Sequence, residues 1–310
     1  MPAFPKLSKE ERLAMLEPPT GSVSMVLDTD TFNEIDDQFA LTYALISDKI
    51  KVEAVYAAPF TNKRSTGPAD GMEKSYQEIL RILARLGYSA EGFAFRGSQE
   101  YLPALDEPVH SPAAEDLIDR ALVPRSKPLY VLAIGAITNI ASAILLKPEI
   151  IRHIVVVWLG GHPYYWDPHK LGKEFNMRQD VPAAQIIFNS GVPFVHIPCK
   201  NVAEFMLTTL PEMERYVKGR GPIGDYLYQI FEGYFKDHYA RSKVLWDIST
   251  VAYLNNPDWV PTELLPAPIL RDDTSYDQSD TLRHTIRVAY HVHRDPIFAD
   301  LFRKLETLAK

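Results

Sequence analysis

The sequence predicts an α/β protein: a Rossmann-like, mostly parallel central sheet with helices on both faces. Three observations lead there. Short apolar runs alternate with segments of helical periodicity along most of the chain, the order that builds parallel sheets from strand-helix-strand units. With 310 residues, 46% hydrophobic and 24% charged, the chain has material for a large core. Four aspartates also gather behind the first apolar run, where open α/β sheets place their ligands, outside the carboxyl ends of the strands.

Taken in order, "VSMVLDTD" holds a first strand, buried from Val23 to Leu27, and "DDQFALTYALIS" a helix whose Phe39, Leu41, Ala44 and Leu45 face inward. "KVEAVYAAP" is a second strand and "EKSYQEILRILARLG" a second helix. "PLYVLAIG" leads into the helical "ITNIASAILL", and the strand "HIVVVWLGG" precedes a polar, aromatic loop. "KEFNM" reads as a strand whose alternation puts Glu174 and Asn176 on one side and Phe175 on the other. Asp180, just before Val181 and Pro182, reads as the N-cap of the helix "VPAAQIIFNSG", which precedes the strand "VPFVHIPC". Pro211 to Trp246 reads as helical and aromatic-rich. The end, "HTIRVAYHVHRDPIFADLFRKLETLAK", reads as one strand, with His291 and His293 on a solvated face, and one helix. "RDDTSYDQSD" reads as an acidic, turn-rich, solvated loop. No repeat, low-complexity segment or linker interrupts the chain, so residues 1–310 read as a single domain.

Charge and cysteine usage narrow the partners. The net charge is -7 and the basic residues are scattered, so no nucleic-acid footprint is visible and a small-molecule substrate is expected. Cys199 is the only cysteine, which suits a reducing compartment and a cytoplasmic location. The opening "MPAFPKLSKEERLAMLEPP" lacks an apolar signal core, and no run approaches the roughly 18 apolar residues of a membrane span.

The stretch "VLDTDTFNEIDDQFAL" carries Asp28, Asp30, Asp36 and Asp37. Strand alternation puts Asp28 and Asp30 on one side, with Thr29 pointing the other way, and the following loop delivers Asp36 and Asp37 to the first turn of a helix. A helix terminus stabilises a carboxylate by only about 0.3 to 1 kcal/mol at exposed sites, too little against mutual repulsion. A cation is the sufficient remedy. The local ligands are all oxygens, which selects a hard ion, and calcium accepts six to eight of them in irregular geometry. An EF-hand is excluded, because counting from Asp28 puts Asn33 at its glycine position and Phe39 at its bidentate glutamate. The site must therefore draw on distant residues. Asp247, flanked by Val244, Leu245, Trp246, Ile248, Val251 and Ala252, is expected to be buried and to need partners.

This stretch resembles the amino-terminal D-x-D-x-x-x-D-D signature of the inosine-uridine-preferring nucleoside hydrolase family, with a loop two residues longer. "AITNIASAI", "WLGG", "KEFNMRQDVPAAQIIFNSGVP" and "WDISTVAYL" resemble further family segments in the same order, and "VAYHVHRDPIFADLF" sits where the family ends. The resemblance implies a nucleoside-hydrolase fold, a nucleoside substrate, a Ca2+ ion and assembly as a homodimer or homotetramer. It implies that Asp30, Asp37, the backbone carbonyl of Thr138 and Asp247 ligate calcium, with a water completing the site and Asp30 as its general base. Asp36 would hold a ribose hydroxyl, Glu174 and Asn176 the 5'-hydroxyl end, Asn62 a further part of the ribose, and Asp28 would support the site from beneath. The implied reaction is hydrolysis of an N-glycosidic bond through an oxocarbenium-like transition state.

Two departures stand out. Members that protonate the leaving base with a histidine carry it immediately before the late aspartate, and this chain has Trp246 there; "DPHKLGK" replaces the usual Gly-Asn before the A-E-F-N segment. Tyr234, His238, Tyr239, His162, Tyr164 and Trp166 are candidates to meet the base. Two rival functions are kept beside this one. "VLDTDT" also fits the D-x-D-x-T signature of haloacid-dehalogenase-like phosphatases, with Asp28 as nucleophile and magnesium as the ion, and the missing histidine suits a non-catalytic ribose- or calcium-binding protein.

Overall fold

The computed structural model describes residues 4–308, so the first three and last two positions of the expected domain, and the start of the "MPAFPKL" segment, lie outside the described residues. The chain begins with α1 (Lys9–Leu16), whose Ser8 and Glu11 form a reciprocal capping box. There follow β1 (Val23–Thr29), α2 (Asp36–Leu45), β2 (Ile50–Ala57), α3 (Pro68–Leu86), β3 (Ala94–Arg96), α4 (Pro112–Leu122), β4 (Leu129–Ala133), α5 (Thr138–Leu146) and β5 (Ile154–Leu159). The middle of the chain gives α6 (Pro168–Leu171), α7 (Phe175–Gln179), α8 (Val181–Ser190), β6 (Phe194–Ile197), β7 (Leu207–Thr209), α9 (Leu210–Tyr216), α10 (Gly221–Glu232) and β8 (Ser242–Val244). The last part gives α11 (Ile248–Asn255), β9 (Thr262–Pro266), β10 (Ile269–Leu270), β11 (Tyr276–Asp277), β12 (Thr285–Ala289) and α12 (Arg294–Thr307).

Eight strands form one sheet in the order β3-β2-β1-β4-β5-β6-β12-β9. All neighbours are parallel except β9, which runs antiparallel to β12 at one edge, while three-residue β3 forms the other edge. The alternation of strand and helix in the sequence therefore corresponds to a sheet covered on both faces. Along β1, Val23, Met25 and Leu27 enter one apolar cluster with α2, while Val26 enters the other with α4 and α5. A strand buried on both faces has to be apolar throughout, which is why β1 reads as a continuous run.

Order along the sheet also explains where a ligand fits. From β1 the chain steps outward to β2 and β3, then returns to the other side of β1 for β4, β5 and β6. The connections after β1 and β4 thus diverge, opening a crevice at the carboxyl ends of those strands.

Three local expectations are corrected. "KEFNM" is not a strand: Glu174 caps α7, accepting from Asn176 N and Met177 N, so its carboxylate starts a helix instead of alternating along a sheet. β12 stops at Ala289, so His291 and His293 follow it in the turn into α12 instead of sharing a strand face. The first half of "RDDTSYDQSD" is structured, because Tyr276 in the β10–β11 hairpin packs its ring 4.8 Å from Tyr164 and 5.8 Å from Phe188. Its two ends, residues 271–272 and 278–280, are exposed.

Candidate active site

The crevice between β1 and β4 is a cavity of about 370 Å³. Asp30, Asp36, Asp37, Asn62, Glu174, Asn176 and Asp247 line it; Asp28 and Thr138 are fully buried and do not line it. β1 delivers the first acids. Asp28 is wholly buried, and its Oδ1 accepts from Asn139 Nδ2 of α5 at 2.7 Å; burial still pushes its carboxyl up to about 7. Thr29 does point away from Asp28, but toward the site: its hydroxyl donates to Asp37 Oδ1 at 2.6 Å. Asp30 is fully buried, and neither of its carboxylate oxygens has a hydrogen-bond partner among the described residues. Across from it stands Gly135, where a Cβ would lie 3.0 Å from Asp30 Cγ and 3.2 Å from the Ala58 side chain. A glycine is what lets the end of β4 close on that acid.

Asp36 and Asp37 occupy the first turn of α2, and Asp247 directly precedes α11, which packs on α2. One carboxylate oxygen from each of the three lies within 4.8 Å of the others, with all three residues buried. Like charges at that separation repel by roughly 3 kcal/mol per pair at an effective dielectric near 20, several times what a helix terminus returns. The carboxyls respond accordingly. Burial, then the neighbouring acids, raises Asp30 and Asp247 well above the usual carboxylate range; Asp37 is pushed up to about 8 by burial and by Asp36. Asp36 is raised by burial too, but it also feels a cation. Lys243, buried in β8, sits 3.8 Å from Asp36 Oδ1 and 2.7 Å from Glu34 Oε2. One ammonium against so many carboxylates leaves room for a divalent ion, and an all-oxygen donor set with the unpartnered oxygens of Asp30 fits a hard one.

A further part of the wall is built by Glu174 and the start of α7. Glu174 Oε2 accepts from Gly161 N and Met177 N, each at 2.7 Å, and its Oε1 from Asn176 N at 2.8 Å. That leaves Oε1 a lone pair for a ligand. Asn176 Nδ2 donates to the carbonyls of Ile134 and Leu159, which ties α7 to the ends of β4 and β5. Asn62 is held by Asn33 at 2.5 Å and by Arg64 N at 2.7 Å. Thr138 opens α5, and its hydroxyl donates to Asp180, which caps α8 as expected.

Among the residues proposed to meet the base, only His162 lines this cavity. Tyr239 is 86% exposed, the Trp166 indole donates to Gly172 O, His238 bonds to Glu232 O, and Tyr164 stacks on His196. Tyr234 reaches only Glu34, at 3.3 Å. Sequence reasoning missed Lys243, Glu34, Asn33 and Asn139. Asn139 was in view within "AITNIASAI", but a buried amide at a helix start reads as a cap until its partner on β1 is known. Lys243 gives no signal, since its partners lie some two hundred positions earlier.

Comparison with known proteins agrees with this geometry. The model of the inosine-uridine preferring nucleoside hydrolases matches residues 25–299. The chain belongs to this family. It is 24% identical over 261 residues to a probable uridine nucleosidase 2 of Arabidopsis thaliana, covering 78% of both chains. It is 26% identical over 266 residues to the pyrimidine-specific ribonucleoside hydrolase RihA of Salmonella typhimurium, covering 76% of this chain and 81% of the other. The purine-preferring ribonucleoside hydrolase of Gardnerella vaginalis superposes with a TM-score of 0.72 at 22% identity, over 93% of this chain and 99% of that one. The protein is thus a nucleoside hydrolase, an enzyme acting on N-glycosyl bonds. The phosphatase alternative fails on the same ground and on position: Asp28, its required nucleophile, is fully buried and does not line the cavity. No helix among the described residues is long and apolar enough to cross a membrane.

Proposed function

We propose that this hydrolase cleaves ribonucleosides to free base and ribose in a calcium-dependent reaction, within a single domain that works in the cytoplasm. The observation that carries the reading is the convergence of Asp30, Asp36, Asp37 and Asp247 on one cavity, with both Asp30 oxygens buried and unpartnered. Asp30, Asp37 and Asp247 would hold the ion, with the Thr138 carbonyl as the further ligand. When bound, calcium offsets the repulsion among these acids and lowers the pKa of a nearby water.

The chain's own groups do the rest. Asp30 takes the proton of the attacking water, its unpartnered oxygens being free to accept it. Asp36, held by Lys243, accepts from a ribose hydroxyl and supports the positive charge that develops on the sugar. Glu174 Oε1 accepts from the 5' end of the ribose, beside Asn176, and Asn62 lines the same cavity. Asp28 and Asn139 hold the end of β1 from beneath. Ile134 and Leu159 present an apolar floor on which water is poorly held.

The test is a panel of purine and pyrimidine ribonucleosides with and without calcium, quantifying free base and free ribose. Both base classes belong in it, because the named relatives act on both. Asp30→Ala and Asp247→Ala should each remove most activity, and so should a chelator. Full turnover after chelation, or in either variant, would refute the site.

A further inference from the structure

A departing nucleobase leaves as an anion unless it meets a proton, and none of the groups assigned so far supplies one. The cavity wall offers two cations, Lys173 and Lys200, and one imidazole, His162. Lys173 is exposed, and no ion pair fixes it among the described residues. Lys200 is placed. Its Nζ lies 3.2 Å from Glu204 Oε2 and 5.6 Å from the centre of the Trp246 ring. Trp246 directly precedes Asp247, so its indole stands in the wall beside the acidic cluster. A sugar whose hydroxyls face the carboxylates can stack its attached base on that indole, and offset aromatic stacking is the arrangement flat rings prefer. Lys200 then overhangs the same face. The neighbouring His162 has a buried Nδ1 without a partner, and burial together with Lys200 pushes its imidazole down to about 4, so near neutrality it is uncharged and a poor proton source.

We infer that Lys200 is the proton donor to the leaving base. The inference rests on the proposed ribonucleoside hydrolysis. The C1'–N bond breaks, and its electron pair stays with the base nitrogen. The ammonium of Lys200 gives one proton to the base and becomes an amine, which recovers a proton from solvent. The water oxygen bonds to C1', and its proton goes to Asp30, which releases it to solvent, so atoms and charge balance over the cycle.

Leaving-group dependence tests this. The wild type, Lys200→Ala, Lys200→Gln and Lys200→Arg are assayed with ribonucleosides and with p-nitrophenyl β-riboside, whose aglycone departs without protonation. General acid catalysis contributes typically 100-fold or more. In K200A and K200Q the ratio of kcat/KM for the nitrophenyl riboside over the nucleoside should rise about 100-fold, and K200R, whose guanidinium keeps the charge but does not release a proton, should not restore it. An unchanged ratio in K200A and K200Q, with wild-type enzyme cleaving both substrates, overturns the assignment of Lys200 alone. Wild-type enzyme that cleaves neither substrate overturns ribonucleoside hydrolysis as well.

Discussion

Replacing Asp37 with asparagine should stabilise the metal-free protein while destroying its activity. In the fold the Asp37 carboxyl is pushed up to about 8, mainly by burial and then by Asp36; unfolded, an aspartate titrates near 3.9. Between those values the folded state binds more protons than the unfolded one, so stability falls as pH rises through the window and levels off above it. At pH 7 the linkage costs up to about 4 kcal/mol, and at pH 5 about 1.5 kcal/mol, at 1.36 kcal/mol per unit. Asparagine mimics the protonated acid without the titration, and its Oδ1 can keep the hydrogen bond from Thr29. In chelator, thermal unfolding of D37N should therefore lie several degrees above wild type at pH 7 and draw close to it at pH 5. Saturating calcium should reverse the order, because the wild type alone keeps the full set of acids and gains RT ln(1 + [L]/Kd). A D37N protein less stable than wild type in chelator at pH 7 would show that the cluster is not under electrostatic strain, and the argument for a cation would fall with it.

Gly135→Ala should cost about 1 to 3 kcal/mol by overpacking and lower kcat at least tenfold, since the new methyl meets Asp30 and Ala58; urea melts and steady-state kinetics read both, and unchanged kinetics would mean that Asp30 has slack. Lys243→Met leaves Glu34 and Asp36 without their ammonium, so roughly 3 to 5 kcal/mol of stability should go, as when one partner of a buried pair is removed. KM for the nucleoside should rise as well, and Lys243→Arg should recover most of both losses. His196 is fully buried, and burial pushes its imidazole down to about 4; its folded value thus lies below its unfolded value near 6.5. Stability should fall as pH drops from about 6.5 to about 4, by up to roughly 3 kcal/mol, and His196→Gln should flatten that part of the pH–stability curve by one proton.

How much of this was legible beforehand depended on the range of the interaction. β1, α2 and the strands and helices around them could be read because each announces itself within about ten residues: an apolar run, a helical period, a cluster of acids. Asp247 was marked by the apolar residues on both sides of it, which implied burial and hence a partner. Glu174 was misread because five residues of helix are too short for a 3.6 period to separate from alternation, and the deciding bonds come from Gly161 and Met177. The Lys243–Glu34–Asp36 group was invisible for a different reason: ion pairing has no sequence period, and the partners meet only once β8 folds back over the loop before α2.

The borders of the main sheet have a consequence for assembly. On one side the last strand, β3, offers three residues; on the other, β9 is preceded by Pro261 and ends at Pro266, and a proline has no amide hydrogen to give a neighbour. A second copy of the chain arriving edge-on would find too few free donors to stitch a continuous sixteen-strand layer. Any association into pairs or larger groups should therefore run through helix surfaces and loops, and subunits joined that way would separate without either one losing a strand.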